Sequence, residues 1–483
     1  MNKQIIRYML GYILIIIGCL MALPLLVSLI YQEPLRYPLS FLFTGLLTVG
    51  VGYGLSRTEL DTRRFYAKEG FVIVSLSWIL ASFFSAIPFV VSGDIALFTD
   101  AFFEMSSGLT TTGASILTKV EALSKSMLFW RSFTHFIGGM GVLVFALAIL
   151  PQAETSSVHI MKAEMPGPTF GKLVSRLSSS ARILYFIYLL LMIVFVLLLW
   201  LAGAPFFDAV LLSFGTAGTG GFGVVNGSVA PYNNLAIELI LSVGMIVFGI
   251  NFNLFYMMLN QQVKKAFQSE ELKWFLCIIG ISVVLITFNL SSHAYGWTNA
   301  LRDSFFTVSS VISTTGYSTA LFDSWPLFSQ LILLLLMFVG GMAGSTAGGL
   351  KVSRIMILVK GAWAEIKRTI RPNRIVTIKS EGKRVDSKLI NAVFSYLTVY
   401  TIIFILTMLL VSFETPDFVS AFSTVAATIN NIGPGFGMVG ASKDFSTFSP
   451  MIKVVLSFVM IMGRLEIFPI LILLSPNTWR KRI

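Results

Sequence analysis

Four stretches of this chain share one pattern, and that pattern decides the fold. Residues 100–115 read DAFFEMSSGLTTTGAS, residues 208–223 read DAVLLSFGTAGTGGFG, and residues 303–318 read DSFFTVSSVISTTGYS. A fourth copy, residues 420–437, reads SAFSTVAATINNIGPGFG. In every copy one glycine stands thirteen residues after the first residue, at Gly113, Gly221, Gly316 and Gly433. Gly435 offers a second register in the fourth copy. Internal repetition of this kind indicates repeated structural units.

Each copy has the same local chemistry. An apolar, helix-forming stretch of about nine residues follows an acidic or serine residue that is suited to cap a helix. A short helix whose carboxyl end points inward directs negative partial charge at that point. The Thr-Thr-Gly segment beyond it is predicted to be extended, and its glycine permits backbone angles that other residues avoid. Rings of four such carbonyl-lined segments replace the hydration shell of potassium. The copies therefore predict a selectivity filter for a small monovalent cation.

The chain around these copies is too apolar for a soluble protein. Of its 483 residues, 55% are hydrophobic and 12% are charged, about half the charge of an ordinary soluble domain. A helix needs about 20 apolar residues to cross the bilayer core. The segments that meet this length are 8–30, 37–55, 70–92, 127–150, 183–203, 234–259, 273–290, 327–350, 391–412 and 450–474.

Each copy lies between two of these spans, so the predicted unit is span, re-entrant loop, span. Irregular backbone at membrane depth is tolerated only where protein or a water-filled cavity surrounds it. We predict an all-α integral membrane fold in which four such units surround a pseudo-fourfold axis, with two extra N-terminal transmembrane helices. The predicted divisions are 1–68 for the extra helices, 69–152, 182–262, 272–360 and 391–476 for the four units, 361–390 for a cytoplasmic basic segment, and 477–483 for a basic tail.

The basic residues predict the orientation. The net charge is +12, and most Lys and Arg fall in loops on one side of the predicted spans, the cytoplasmic side by the positive-inside rule. We therefore predict a multi-pass protein of the bacterial inner membrane with both termini in the cytoplasm. The first apolar run is longer than a signal-peptide core, so we interpret it as a retained span. The charge is an orientation signal, and no nucleic-acid partner is predicted.

With these copies and spans, the chain resembles the superfamily of K⁺ transporters that includes the bacterial Trk and Ktr systems, most closely its TrkH subunits. The resemblance covers essentially the whole length. It implies K⁺ as the transported ion, a homodimer, and a cytosolic nucleotide-binding regulatory subunit of the TrkA type that the basic segment helps to dock. It also implies that the filter consists of Thr111, Thr112, Gly113, Thr219, Gly220, Gly221, Thr314, Thr315, Gly316, Asn431, Ile432 and Gly433.

The second span of the third unit is the first candidate gate. Residues 339–354 read VGGMAGSTAGGLKVSR, and each glycine costs a helix about 1 kcal/mol relative to alanine. An interrupted span below the filter would act as a mobile plug, which the resemblance also implies. Close packing of helices through small residues is the alternative. The candidate gate residues here are Gly344, Ser345, Thr346, Gly348 and Gly349.

The second candidate gate is Arg464, within the segment FVMIMGRLEIFPIL at residues 458–471. A central arginine costs about 2.5–3.5 kcal/mol on membrane insertion, so it is expected to face a cavity or a partner. Its positive charge below the filter would oppose cation passage. Alternatively, it forms an internal ion pair, with Glu466 or a neighbour, that ties two units together. The two roles are compatible.

Other functions find less support in the sequence. The chain has two cysteines and three scattered histidines, without metal-ligand spacing, and it has no phosphate-cradling motif, so no organic cofactor is predicted. No nucleophile–base set indicates an enzyme. The alternative within transport is a secondary symporter that couples K⁺ to H⁺ or Na⁺, which normally needs ionisable residues at mid-membrane.

Overall fold

The computed structural model describes residues 1–58, 66–141, 177–293, 295–372 and 376–479. In these ranges the chain is mostly helical. The α-helices are α1 (Lys3–Leu20), α2 (Ala22–Ile30), α3 (Arg36–Ser56), α4 (Ala67–Ser92), α5 (Phe98–Leu109), α6 (Lys125–Gly139), α7 (Leu177–Leu201), α8 (Phe206–Gly218), α9 (Leu235–Phe248), α10 (Phe252–Leu259), α11 (Val263–Phe267), α12 (Glu270–Ser291), α13 (Trp297–Ile312), α14 (Leu327–Val339), α15 (Val352–Ile370), α16 (Ser387–Val411), α17 (Phe418–Ile429), α18 (Pro450–Arg464), α19 (Phe468–Leu474) and α20 (Pro476–Trp479). Strands β1 (Lys379–Ser380) and β2 (Lys383–Arg384) form a short antiparallel hairpin.

The apolar helices make this a multi-pass membrane protein. Six described helical segments are long and apolar enough to cross a bilayer: Lys3–Ile30, Arg36–Ser56, Lys68–Ser92, Arg182–Leu201, Glu270–Ser291 and Ser387–Val411. The end of the predicted span 127–150, the predicted unit boundary at 152 and residues 480–483 of the predicted tail lie outside the described residues.

The two N-terminal spans pack through glycines. A methyl group on Gly11 would lie 2.5 Å from the carbonyl oxygen of Gly52, and one on Gly18 would lie 2.9 Å from that of Gly45. Small residues let the backbones of α1 and α3 approach this closely, as is common where lipid offers no hydrophobic driving force between helices. Both helices also contact α4, the first span of the first unit.

The remaining helices form four units that close into a ring. In each unit a short helix (α5, α8, α13 or α17) follows the first span and precedes the second. Each short helix also packs on the second span of another unit: α5 on α18, α8 on α6, α13 on α9, and α17 on α14. Because the series returns from the fourth unit to the first, the units surround one pseudo-fourfold axis.

The predicted caps of the short helices are wrong. Helices α5, α8 and α17 begin three residues earlier, after Leu97, Pro205 and Asp417, and α13 begins after Gly296. Their lengths are 12, 13, 12 and 16 residues rather than about nine. Apolar residues before the aspartates extend α5 and α8, and Asp100 and Asp208 then lie in the first turn, where the helix dipole favours a negative charge.

Three of the predicted second spans are interrupted. The span 234–259 bends by 92° between α9 and α10. The span 327–350 ends as a helix at Val339, and the span 450–474 breaks between α18 and α19, where Glu466 and Ile467 have φ of 56° and 67°. In the first unit, α6 ends at Gly139. Among the described residues, the helices α6, α9, α14 and α18 have 15, 14, 13 and 15 residues, fewer than the roughly 20 that a single span needs.

The segment after the third unit is organised around α15. This helix continues to Ile370, through the predicted division between 360 and 361, because the single Gly361 does not stop it and the first proline is Pro372. Ala364 packs with Ile378 and Val385, which flank the hairpin, in a small separate apolar cluster. The hairpin is thereby fixed against α15.

Candidate functional site

The four repeated segments end their short helices in the same way. The backbone N–H groups of Thr112, Gly220, Thr315 and Ile432 each donate to the carbonyl five residues earlier. The N–H group of the preceding residue donates to the carbonyl three residues earlier. This pair of bonds is the Schellman motif, which needs a left-handed residue after the helix. That residue is Thr111, Thr219, Thr314 or Asn431, with φ of 56°, 55°, 57° and 56°. The sequence analysis predicted that these segments are extended. The structure shows instead that the first residue of each segment is left-handed.

Three of these left-handed residues are threonines, which is unusual. A β-branched residue avoids this region, whereas asparagine tolerates it. Such strain costs of order 1–3 kcal/mol per residue, and strained residues cluster at functional sites. Asn431 is also fixed by its side chain, whose Nδ2 donates to Thr112 Oγ1 and to the carbonyl of Met460, both at 2.9 Å. The strain sets the tripeptides 111–113, 219–221 and 314–316 apart from ordinary helix ends, and the fourth tripeptide, 431–433, has the same conformation with an asparagine that tolerates it.

The four tripeptides form a closed ring. A methyl group on Gly113 would lie 2.0 Å from the carbonyl oxygen of Gly220, and one on Gly221 would lie 1.9 Å from that of Thr315. Likewise, a methyl group on Gly316 would lie 2.1 Å from the carbonyl oxygen of Ile432, and one on Gly433 would lie 2.7 Å from that of Thr112. Each glycine therefore lies against a carbonyl of the next tripeptide, and no side chain fits at these positions.

The register of the fourth copy follows from the same geometry. Gly433 has a φ of 93°, and the other three ring glycines also have positive φ. Gly433 faces the first tripeptide. Gly435 instead faces Val439 and Ser423 of its own unit. Gly433 is thus the structural equivalent of Gly113, Gly221 and Gly316.

A cavity opens on one side of the ring. Its volume is about 190 Å³, and all four ring glycines line it, together with residues of the loops that follow the repeated segments, such as Lys443 and Asp444. We call this cavity the vestibule. All four repeated segments therefore border the same cavity.

On the other side of the ring lies the interruption between α14 and α15, residues 340–351, which we call the intramembrane loop. The N–H of Gly348 donates to Thr314 Oγ1 at 2.6 Å, and the N–H of Gly349 donates to the carbonyl of Asn430 at 3.1 Å. The N–H of Leu350 donates to the carbonyl of Phe338 at 3.0 Å, which closes the base of the loop. The loop is therefore bonded directly to the third and fourth segments of the ring.

Arg464 lies beside the intramembrane loop. Its Nη1 donates to the carbonyl of Thr346 at 2.6 Å, and its Nη2 donates to those of Gly138 and Gly139 at 2.6 and 2.5 Å. Arg464 and loop residues line a cavity of about 20 Å³, which has room for about one water molecule. Glu466 holds the guanidinium of Arg354 through hydrogen bonds of 2.8 and 2.5 Å. The space beneath the ring is thus constricted.

The comparison with known proteins identifies the family. The family model TrkH, described as a cation transport protein, matches residues 41–481. The chain belongs to the TrkH family. It is 36% identical to the Trk system potassium uptake protein TrkH of Salmonella typhimurium over 100% of both chains. It is 34% identical to the Trk system potassium uptake protein TrkG of Escherichia coli over 99% of both.

A solved structure of the TrkH family has the same fold. The crystal structure of the potassium transporter TrkH from Vibrio parahaemolyticus matches with a TM-score of 0.89 and 34% identity, over 99% of this chain and 100% of that one. The prediction of an all-α membrane protein with four span–pore-loop–span units and two extra helices is therefore confirmed.

Within this TrkH-family fold, a buried ion pair lies behind the ring. The sequence analysis missed this ion pair. Arg131 Nε is 2.6 Å from Glu104 Oε1, and both side chains are buried. Arg131 also donates to the carbonyl of Gly223 at 3.0 Å and stacks on the ring of Phe222, while Glu104 accepts from the N–H of Ile116 at 2.9 Å. The pair fixes the chain just after the first two ring glycines. Ionisable residues within membrane segments were the signal that could have found it.

His135 is packed between the first two segments of the ring. Its Nδ1 lies 2.8 Å from the carbonyl of Gly108, and its Nε2 lies 3.3 Å from the N–H of Phe222. These contacts use one ring nitrogen as a donor and the other as an acceptor, which is the pattern of a neutral imidazole. A methyl group on Gly220 would lie within 2.3 Å of Nδ1. The histidine therefore supports the ring from behind.

The aspartates that begin three of the copies have protein partners. Asp100 pairs with Lys453 at 2.9 Å, and Asp208 accepts from the hydroxyl of Tyr232 at 2.8 Å. Asp303 accepts from the hydroxyl of Tyr295 at 2.5 Å, and burial together with this bond raises the pKa of Tyr295 to about 12. These carboxylates fasten the short helices to neighbouring parts of the chain.

Proposed function

We propose that this chain takes up K⁺ across the membrane through a gated, channel-like pore. The observation that carries the proposal is the closed ring of four tripeptides, in which each glycine lies against a carbonyl of the next segment. The printed names of the relatives, which are potassium uptake proteins, support K⁺ as the transported ion. In this proposal K⁺ is the cargo, and the chain needs no organic cofactor of its own.

The ring is proposed to act as the selectivity filter. Four helix carboxyl ends point at it, and each contributes negative partial charge. The ring carbonyls belong to Thr112, Gly220, Thr315 and Ile432, three different residue types. Because these side chains differ, the common ligand is the backbone oxygen, which takes the place of water around a dehydrated K⁺ ion.

The intramembrane loop and Arg464 are proposed to be the gate. The loop residues Gly344, Ser345, Thr346, Gly348 and Gly349 occupy the path below the ring. The positive charge of Arg464 opposes a cation there, and its bond to Thr346 fastens the loop in place. Conduction then requires that the loop leave the path, which breaks the contacts of Gly348 and Gly349 with the ring.

The membrane, orientation and partners are part of the same proposal. We place the chain in the bacterial inner membrane with both termini in the cytoplasm, because the basic segment around the hairpin then lies inside, as the positive-inside rule requires. Exposed Lys383 and Arg384 of that hairpin form part of the docking surface for a cytosolic TrkA-type nucleotide-binding regulator. The working unit is proposed to be a homodimer.

Cation flux into proteoliposomes that contain the purified chain alone tests the proposal. K⁺ is supplied as a gradient, Na⁺ is the competitor, and no pH or Na⁺ gradient is imposed. Uptake that favours K⁺ under these conditions supports a passive, selective pore. Uptake that appears only with a H⁺ or Na⁺ gradient identifies a symporter instead, and the absence of K⁺ uptake under both conditions overturns the proposal.

A further inference from the structure

One buried carboxylate holds both ends of the intramembrane loop region. Glu271 lies in the first turn of α12, and its side chain is buried. The same oxygen atom, Oε1, accepts from the N–H of Ala343 at 2.8 Å and from the N–H of Ser353 at 3.2 Å. Ala343 lies within the loop, and Ser353 lies in the first turn of α15, just after it. A single atom thus connects the two sides of the interruption.

The backbone of Glu271 is in turn held by the hairpin. Glu381, in the turn between β1 and β2, accepts from the hydroxyl of Ser269 at 2.8 Å and from the N–H of Glu271 at 3.1 Å. The N–H of Glu381 donates to Glu270 Oε2 at 3.2 Å, and Glu270 also pairs with Lys360. The hairpin tip therefore caps the same helix end from which Glu271 reaches the loop.

We infer that Glu271 is a positioning residue of the gate, and that the hairpin tip sets its position through Glu381. The inference rests on the proposed gating role of the loop. Hydrogen bonds to a carboxylate are roughly twice as strong as those between neutral groups, and a low-dielectric interior strengthens them further. Loss of the Glu271 contacts leaves two backbone N–H groups without their acceptor and favours the displaced loop.

The contacts give the hairpin a direct mechanical route to the loop. If the hairpin moves away from α12, Ser269 and the first turn of that helix lose their acceptor, and Glu271 is free to shift. Because one oxygen holds both Ala343 and Ser353, a single shift releases both sides of the loop together. The contacts form a continuous chain from the hairpin to the loop, and the proposal gives that chain a held and a released arrangement, which coupling between separate sites requires.

The test compares Glu271→Ala and Glu271→Gln with the wild-type chain in K⁺ flux assays in proteoliposomes. Alanine removes the acceptor and is expected to raise basal K⁺ flux by about tenfold. Glutamine keeps a neutral acceptor and is expected to raise it less. The K⁺/Na⁺ permeability ratio should not change, because the ring is untouched. Glu365→Ala, at an exposed position on α15, is the matched control and should not alter flux.

A second measurement reports on the loop itself. In a chain with Cys19→Ser and Cys277→Ser, Ser345→Cys supplies one thiol in the constricted cavity. A membrane-impermeant thiol reagent added on the hairpin side should label this thiol faster when Glu271→Ala or Glu271→Gln is also present. Folded Glu271 variants with wild-type flux and wild-type labelling overturn the inference. If Glu271→Ala does not fold, Glu271→Gln decides by the same two readouts.

The hairpin link has its own test. Glu381→Ala should raise flux and labelling as Glu271→Ala does, and the double variant should not exceed Glu271→Ala alone. Additive effects overturn the link between the hairpin and Glu271. Deletion of residues 344–348 distinguishes failure of the proposed gate from failure of the role assigned to Glu271. If the deletion raises flux but the Glu271 variants do not, only this inference fails; if the deletion also leaves flux unchanged, the gate itself is wrong.

Discussion

The Nη1 atom of Arg464 lies 2.6 Å from the carbonyl oxygen of Thr346. This contact joins the second helix of the fourth unit to the intramembrane loop of the third. The same guanidinium also donates to two carbonyls at the end of α6 in the first unit. One side chain thus connects three of the four units immediately below the ring.

Replacing Arg464 with alanine is expected to raise basal K⁺ flux several-fold in proteoliposomes. The change removes a positive charge from the path and releases the carbonyl of Thr346. Arg464→Lys should have an intermediate effect, because an ammonium keeps the charge but lacks the planar fork that reaches several carbonyls. Arg368→Ala, at an exposed position, is the control. Unaltered or reduced flux in folded Arg464→Ala protein means that the arginine has a purely structural role.

Gly316→Ser is expected to lower the K⁺/Na⁺ permeability ratio. Gly316 has a φ of 83°, and a side chain there would lie 2.1 Å from the carbonyl oxygen of Ile432. The ring must therefore distort, and the carbonyls then fit K⁺ less closely. Bi-ionic permeability measurements in planar bilayers check this.

Gly280→Ser is the matched control for Gly316→Ser. A methyl group on Gly280, within α12, would contact nothing within 4 Å, so this variant should keep the wild-type ratio. Equal ratios in all three folded proteins contradict the role of the ring as a filter.

Deleting residues 344–348 is expected to increase K⁺ leak. The deletion removes Thr346, the acceptor for Arg464, and Gly348, which donates to Thr314. Flux is measured in the absence of any added regulator. If the folded deletion protein shows no more K⁺ leak than the wild-type chain, the loop does not block the path.

Much of the architecture is visible in the sequence because its signals are local. Apolar runs of membrane-spanning length predict the helices, and the recurring glycine predicts the register at Gly433, since only glycine fits so close to a neighbouring carbonyl. The helix starts at Leu97 and Pro205 are missed because acidic residues are favoured in the first turn as well as at the cap. A capping pattern alone does not separate these positions.

Contacts between distant parts of the chain lie beyond such reasoning. Glu271 meets Ala343 and Ser353 across 72 and 82 residues, and nothing in its local sequence distinguishes it from a carboxylate that simply begins a helix. The left-handed conformation of Thr111 is equally hidden, because threonine disfavours it. These long-range contacts and this backbone conformation become apparent only when the four units are assembled around the ring.

Arg131→Ala is expected to destabilise the protein by about 3–5 kcal/mol, because it leaves Glu104 as an unpaired buried carboxylate. Thermal unfolding of the detergent-solubilised chain checks this. Replacing both members, with Glu104→Gln and Arg131→Met, should cost less than Arg131→Ala alone. A single variant with the wild-type melting temperature contradicts a stabilising role for the pair.

Stability is also expected to depend on pH through Asp323, in the loop after the third ring segment. Burial raises the pKa of this carboxyl to about 6 from an ordinary value of 3.8, although Lys443 opposes the shift. The folded state thus prefers the protonated form. The stabilisation is fully present below pH 3.8 and is lost as the pH rises through about 6.

Asp323→Asn isolates this contribution, because asparagine is neutral at every pH. At pH 7.5 the variant is expected to melt about 1–2 °C above the wild-type chain, since it avoids a poorly solvated charge whose Oδ1 has no hydrogen-bond partner among the described residues. At pH 4.5 the difference should shrink, because the wild-type carboxyl is then protonated in the folded protein. If the difference in melting temperature between Asp323→Asn and wild type instead grows as the pH falls, the raised pKa is wrong. Such growth would mean that the folded protein prefers the ionised carboxylate and loses stability when it is protonated.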